Sequence, residues 1–293
     1  MPSSSRSEAD RIFRVAYETL LQTWPVPPEP VWVTSPSGRT HLLAAGPPDA
    51  PAVFLMPGLG TSGVAWTAQI AALVDTHRVY AVDPPANNGL TEVATPQRFD
   101  DFARWYVEML DALGLRQADY VGMSYAGCVA AHVALAVPER IRRLVLMAPA
   151  ATLLPLKFGG VLKGLSILAW PTRARYASVM RWMAFPPAEH REAYDALLDK
   201  VIDVTYAGRK RTGLSMIPTP RVLGDDELRR ISMPTLVILG DKEKQYDPTP
   251  ALARAKSLIA DVRTVLIPDA SHDLMFGQPE RVNAALKEFL ADP

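Results

Sequence analysis

One serine in this chain stands where a hydroxyl could be made nucleophilic. The run Tyr120-Val121-Gly122-Met123-Ser124-Tyr125-Ala126-Gly127 sets Ser124 among small residues, between an apolar stretch and an alanine-rich one. A serine hydroxyl attacks poorly in water, so it needs a base within reach and a chain that turns sharply enough to present the oxygen. Gly122 and Ala126 are small enough to permit that turn, the pattern of a nucleophile elbow with alanine at its second small position. A helix-capping serine can carry the same local pattern, so the assignment depends on finding partners for Ser124 elsewhere.

Three other stretches supply candidates. Pro268-Asp269-Ala270-Ser271-His272-Asp273 follows the last apolar run and precedes the C-terminal helical segment, which places His272 where a general base could reach Ser124. The remaining histidines have more ordinary positions: His41 and His77 flank strands, His132 lies along the helix after Ser124, and His190 lies in an irregular segment. An acid is needed to orient the base, and Gly240-Asp241-Lys242-Glu243-Lys244-Gln245-Tyr246-Asp247-Pro248 offers three. Asp241 is placed to cap the turn and Asp247 to cap the next helix, which leaves Glu243 as the orienting acid with Asp247 as the alternative. Met56-Pro57-Gly58-Leu59-Gly60-Thr61-Ser62 ends an apolar strand in a glycine-rich turn, so the Leu59 and Tyr125 N–H groups are the candidate donors to an oxyanion. The turn has neither P-loop lysine spacing nor Gly-x-Gly-x-x-Gly, which argues against nucleotide binding.

These residues must be positioned by regular elements, and the hydrophobic pattern supplies them. Apolar runs at 53–56, 78–83, 118–123, 141–147, 234–240 and 262–267 alternate with helical patterns at 64–74, 99–115, 125–136, 250–259 and 279–289. That order predicts a mostly parallel sheet with helices on both faces. A further amphipathic helix is expected over 8–24, with Pro25, Pro27, Pro28 and Pro30 stiffening its link to the first strand. Between 151 and 221 the alternation breaks. Leu153, Leu154, Phe158, Leu165, Leu168, Trp170, Tyr176, Met180, Trp182, Met183 and Phe185 read there as a helical cap, most of them as core packing, with Trp170, Trp182 and Met183 assigned to the substrate pocket. The expected organisation is a core of 1–150 and 222–293 with the cap, 151–221, inserted.

Composition sets the limits. The 293 residues are 48% hydrophobic, enough for a full core, and 31 basic residues balance 31 acidic ones. No electrostatic footprint for nucleic acid or an anionic membrane follows from that balance, and Arg209-Lys210-Arg211 reads as a solvated face. The single cysteine, Cys128, can form no internal bridge, and neither a hydrophobic leader in 1–10 nor a long uncharged apolar run is present. The expectation is a cytoplasmic chain without membrane insertion.

In this order, Pro57-Gly58-Leu59-Gly60, the elbow from Gly122 to Gly127, Gly240-Asp241-Lys242-Glu243 and Ser271-His272 resemble the α/β-hydrolases over nearly the whole chain. More narrowly, Trp24-Pro25-Val26, Ala81-Val82-Asp83, Pro138-Glu139-Arg140, Ala148-Pro149-Ala150 and Tyr246-Asp247-Pro248 are similar to bacterial carboxylesterases of the naproxen-esterase type. The resemblance implies an α/β-hydrolase fold with a mostly parallel eight-stranded sheet, helices on both faces and a helical cap. It also implies cofactor-independent hydrolysis of a small-molecule ester through an acyl-enzyme, with Ser124, His272 and Glu243 as the triad. A glutamate as acid is characteristic of that group. Two positions depart from the pattern: Pro57 stands where the family usually has histidine, and Ala126 where it has glycine. A serine nucleophile disfavours dehalogenase and epoxide-hydrolase chemistry, which use a carboxylate in this fold. The same machinery serves lactonases, acyltransferases and C–C hydrolases, and a non-catalytic ligand-binding member is the alternative from another class.

Overall fold

In the computed structural model, which describes residues 3–85, 88–213 and 216–291, the chain opens with helix α1 (Ser3–Leu21) and an antiparallel hairpin of β1 (Glu29–Ser35) and β2 (Gly38–Ala45). There follow β3 (Ala52–Met56), α2 (Thr67–Leu73), β4 (Arg78–Val82), the two-residue β5 (Glu92–Val93), α3 (Phe99–Ala112), β6 (Ala118–Met123), α4 (Tyr125–Ala136) and β7 (Ile141–Met147). Three helices then intervene, α5 (Phe158–Ala169), α6 (Arg173–Met183) and α7 (Arg191–Thr212). The short α8 (Asp225–Arg229) leads back to β8 (Thr235–Gly240), α9 (Pro248–Leu258), β9 (Val262–Ile267), the single turn α10 (Leu274–Gly277) and α11 (Pro279–Leu290). Leu214 and Ser215, inside the expected cap, lie outside the described residues.

Element ends follow local chemistry. The first helix stops at Leu21 and not at Trp24, because Pro25 pushes the residue before it out of the helical region. The third stops at Ala112 because Gly114 takes φ +70, and the Leu115 N–H turns back onto the Leu110 carbonyl at 2.9 Å. The helix expected over 64–74 begins instead as a 3-10 turn, Gly63–Ala65, before α2.

The strands form one sheet in the order β1-β2-β4-β3-β6-β7-β8-β9, with β5 paired to β2 off that path. Strands from β4 to β9 pair in parallel, and only the β1 and β2 edge with β5 is antiparallel. Every residue of β3, β6 and β8 is buried, which requires cover on both faces of the sheet. Helix α2 packs with α11, while α3 packs with α4 and α9 lies against β8 and β9. The chain runs from β3 outward to β4 and then crosses back to β6 on the other side of β3, so a topological switch point lies between β3 and β6. Ligands of open α/β sheets bind outside the carboxyl ends of strands at such a point.

The helices between β7 and β8 divide by depth. In α7, Val201, Val204 and Ala207 join the main core and the helix packs along α1. Tyr176, Ala177, Ala184, Tyr194, Leu198 and Ile202 make a smaller cluster of their own between α6 and α7. Contrary to the expectation of core packing, α5 buries no residue: Phe158, Leu165 and Leu168 are exposed. Among the described residues no helix is long and apolar enough to cross a membrane.

Candidate active site

The turn from β6 into α4 holds Ser124 at φ 54, ψ −117, a backbone region that costs of order 1–3 kcal/mol for a residue with a side chain. Its neighbours hold it there. The Ser124 N–H donates to the Met147 carbonyl at 2.9 Å, and the Ser124 carbonyl accepts from the Ala150 N–H at 3.0 Å, so the end of β7 and the Ala148-Pro149-Ala150 segment clamp the turn from outside. Gly122 supplies the close approach: a Cβ there would fall 2.5 Å from the Ala126 carbonyl oxygen. That contact involves the Ala126 main chain and not its methyl group, which is how alanine is accommodated at the second small position.

Three loop side chains meet at this turn. His272 Nε2 lies 2.8 Å from Ser124 Oγ, and His272 Nδ1 lies 2.9 Å from Glu243 Oε2. An ionised carboxylate can only accept, so Nδ1 carries the proton and Nε2 is left free to take the serine's. The other Glu243 oxygen accepts from the Gln245 N–H at 2.8 Å, fixing the carboxylate in its own turn. Glu243 and His272 are each 5% exposed, whereas Ser124 is partly accessible. Burial alone would push the imidazole towards neutrality. The charge and hydrogen bond of Glu243, helped by the nearby Asp273, outweigh it and hold the His272 pKa above its ordinary 6.5. For Glu243 burial favours the protonated acid, but His272 and the hydrogen bonds it accepts prevail and hold its pKa below the ordinary value.

The other two acids of that loop are used locally. Asp247 caps α9, accepting from the Thr249 N–H at 3.1 Å, and Asp241 accepts from the Ala270 N–H at 3.3 Å and pairs with Lys242.

Leu59 and Tyr125 flank the serine. Since β3 and β6 are parallel neighbours in register, Met56 opposite Gly122, the loop after β3 is carried beside the elbow. A Cβ on Gly58 would sit 3.4 Å from the Ser124 Cβ, so glycine lets that loop approach. Tyr125 is the first residue of α4 and its N–H has no acceptor within the helix. Asp83, after β4, braces the far end of the same loop: it accepts from the Gly63 N–H at 2.8 Å and contacts Tyr17 OH at 3.1 Å and His41 Nδ1 at 3.0 Å. His41 thus lies within β2, tied to a buried carboxylate. Leu59 and Tyr125 border a small apolar and aromatic recess walled by Phe102, Trp105, Tyr120, Val129 and Ile217. Tyr125 OH donates to the Pro218 carbonyl at 2.9 Å and so holds the chain near Ile217 against it.

The segment between β7 and β8 reaches the loops of His272 and Glu243 through a strap, 182–185, whose main-chain contacts residue types alone did not point to. The His272 N–H donates to the Met183 carbonyl at 3.2 Å, Lys244 Nζ donates to the Trp182 and Ala184 carbonyls at 2.8 and 3.3 Å, and Gln245 Nε2 lies 3.3 Å from Met183 Sδ. Asp273 accepts from the Phe185 N–H at 3.1 Å and from the Tyr194 hydroxyl of α7. Met183 and Trp182 therefore have their main chain on the loops of His272 and Glu243, and neither is among the residues that wall the recess. Trp170 does not join them: it is 65% exposed at the end of α5. Among the other histidines, His132 stacks on Phe99 with ring centroids 3.7 Å apart, and burial pushes its pKa down to about 4, with Arg221 assisting. Among the described residues no group of three or more His, Cys, Asp or Glu could hold a metal ion.

Residues 52–285 match the model of the alpha/beta hydrolase family. The chain belongs to that family. It is 32% identical over 294 aligned positions to carboxylesterase YbfK of Bacillus subtilis, covering 95% of this chain and 93% of the relative. It is 30% identical to the uncharacterized carboxylesterase nap of the same organism, covering 93% and 90%. Among solved structures it is similar to carboxylesterase CesB (YbfK) from Bacillus subtilis, with TM-score 0.86 and 28% identity over 97% of this chain and 98% of that one. Naproxen esterase from Bacillus subtilis gives 0.85 and 28%, over 95% and 96%. The family's fold accounts for the sheet order, the helices on both faces and the placement of Ser124, Glu243, His272 and the Leu59 turn after strand carboxyl ends.

Proposed function

We propose that this α/β hydrolase is a serine esterase that cleaves small apolar carboxylic esters through an acyl-enzyme. The observation that carries the reading is the continuous chain Ser124 Oγ, His272, Glu243, with contacts of 2.8 and 2.9 Å between groups drawn from three different loops. Carboxylesterase relatives that span the chain supply the reaction class.

In the first half-reaction His272 Nε2 takes the Ser124 proton as Oγ attacks the ester carbonyl carbon. The carbonyl oxygen becomes an oxyanion facing the Leu59 and Tyr125 N–H groups, and Glu243 stabilises the imidazolium so formed. The tetrahedral adduct collapses, the C–O bond to the alcohol breaks, and His272 returns its proton to the departing oxygen. Water then replaces the alcohol, gives its proton to His272, attacks the acyl carbon and releases the acid as Ser124 recovers its proton. Pro57 removes no donor from this scheme, because the N–H required of that loop is on Leu59. The recess walled by Phe102, Trp105, Tyr120 and Val129 presents apolar and aromatic surface beside these groups, which suits an apolar substrate. The 151–221 segment acts in this reading as a cap whose strap, with Trp182 and Met183, seats the base and acid loops.

Turnover of a short-chain p-nitrophenyl ester tests the proposal. Ser124→Ala should lose up to about a million-fold in kcat while keeping the wild-type circular dichroism spectrum, because the triad acts as a unit. A pure, folded Ser124→Ala protein that retains a tenth of wild-type turnover would reject Ser124 as nucleophile.

A further inference from the structure

The outermost cap helix carries its apolar stripe on the wrong side for a core helix. At 100° per residue, Phe158, Val161, Leu162, Leu165 and Leu168 of α5 fall within an arc of about 120°. They are between 41% and 75% exposed, and Trp170, just past the helix end, is 65% exposed. The opposite side of α5 makes the contacts with the cap: Ile167 packs on the Tyr176 and Tyr194 cluster, a Cβ on Gly160 would touch Trp182, and Lys163 lies over the Trp182 ring. An amphipathic helix of a soluble fold buries its apolar arc. Here the arc faces outward, and a Cβ added beside it at Gly159 or Gly164 would meet nothing within 4 Å.

The charge in the sequence that carries the stripe has one sign. From 151 to 188 the sequence has Lys157, Lys163, Arg173, Arg175 and Arg181 and no Asp or Glu, in a chain whose totals balance. Arg173 and Arg181 are answered by Asp199 and Asp203 of α7. Lys157, at the N-cap of α5, and Arg175, in the first turn of α6, are exposed, and Lys163 leans on Trp182. We propose that α5 is an interfacial docking helix, which seats the protein on anionic phospholipid surfaces with Phe158, Leu162, Leu165 and Trp170 in the acyl boundary and Lys157 and Arg175 among the headgroups. Apolar residues including Trp and Phe on one face and only basic charge beside them match the requirements of such a helix. A second copy of the chain fits less well. A two-fold contact through α5 would bring the basic residues of both copies together with no acid from either segment to answer them.

Cosedimentation of the full chain with extruded vesicles tests this. Binding to vesicles of equal parts phosphatidylglycerol and phosphatidylcholine should be at least tenfold tighter than to phosphatidylcholine alone and should weaken as salt is raised. The double variant Leu162→Asp, Leu165→Asp should lose at least tenfold of that binding, and Lys157→Glu with Arg175→Glu should abolish the preference for the anionic vesicles. Turnover of a water-soluble ester by the Leu162, Leu165 variant should equal wild type, so failure of docking and failure of the esterase reading are read separately. The proposal is overturned if wild type ignores the anionic vesicles at low salt or binds both kinds equally, or if the aspartate variant binds as wild type does. It is equally overturned if sedimentation shows a wild-type dimer that the aspartate variant dissociates while vesicles remain unbound.

Discussion

Glu243 and Asp247 stand four positions apart in one loop with the same charge, and geometry separates what they do. One meets the imidazole and the other the first turn of a helix. Glu243→Gln keeps the shape but offers an amide where Nδ1–H needs a carboxylate, so His272 is no longer held in the productive tautomer. A loss of around ten-thousand-fold in kcat is expected, against little change for Asp247→Asn beyond about 1 kcal/mol of stability from a weakened cap. Comparable kcat losses in the two variants would remove Glu243 from the proposed role. The same contact sets the pH dependence. Only neutral His272 can accept the serine proton, and its pKa is held above 6.5, so kcat/KM should rise with pH through a single ionisation displaced upward from 6.5 and fall away on the acid side. With Gln at 243 the raising charge is gone while burial still disfavours the imidazolium, and the residual activity should titrate at a lower pH. A midpoint below 6.5 in wild type would contradict the assigned pair.

At the scale of elements, the main-chain contacts of the strap at the end of α6 are the least expected part of the site. The strap holds His272 and Lys244 through main-chain carbonyls, which leave no side-chain signature in a sequence. Asp273 was visible beside His272, but its partner Tyr194 lies 79 positions away on another helix. Two substitutions separate seating from electrostatics. Tyr194→Phe removes a hydroxyl donor to a carboxylate and should cost about 1.5–3 kcal/mol in denaturant unfolding, with the activity midpoint unmoved. Asp273→Asn removes a charge that helps raise the His272 pKa, so the midpoint should shift down. A midpoint that moves equally in both variants would show that the strap acts only by holding the loop. By contrast the elbow and its flanking strands were legible to the residue. Continuous apolar runs end at Ser124 and at Pro138, and 118–123, 125–136, 141–147 and 262–267 coincide with β6, α4, β7 and β9. The antiparallel edge of β1, β2 and β5 was less legible because β1 is half exposed and carries no such run.

Over the whole molecule, the sequence reading recovered the strands of the parallel part of the sheet and failed where an apolar pattern can mean either core or surface. The stripe of α5 has the spacing of a packed helix, and only the three-dimensional arrangement shows that it points away from the cap. Nor does sequence reveal that β3 and β6 are neighbours while β4 lies beyond β3, which is what brings Leu59 beside Ser124. The proposed chemistry depends on that assembly, because the loops after β3, β6, β8 and β9 must all be in place before any one of them is useful. Covalent capture with a fluorophosphonate reads the assembly directly, since the reagent phosphonylates a serine only when base and oxyanion donors are both present. Intact-mass and peptide analysis of the native protein should show one adduct, on Ser124, with none on the Ser124→Ala or His272→Gln variants. A native, folded protein that takes up no label, or one labelled elsewhere than Ser124, would contradict the account.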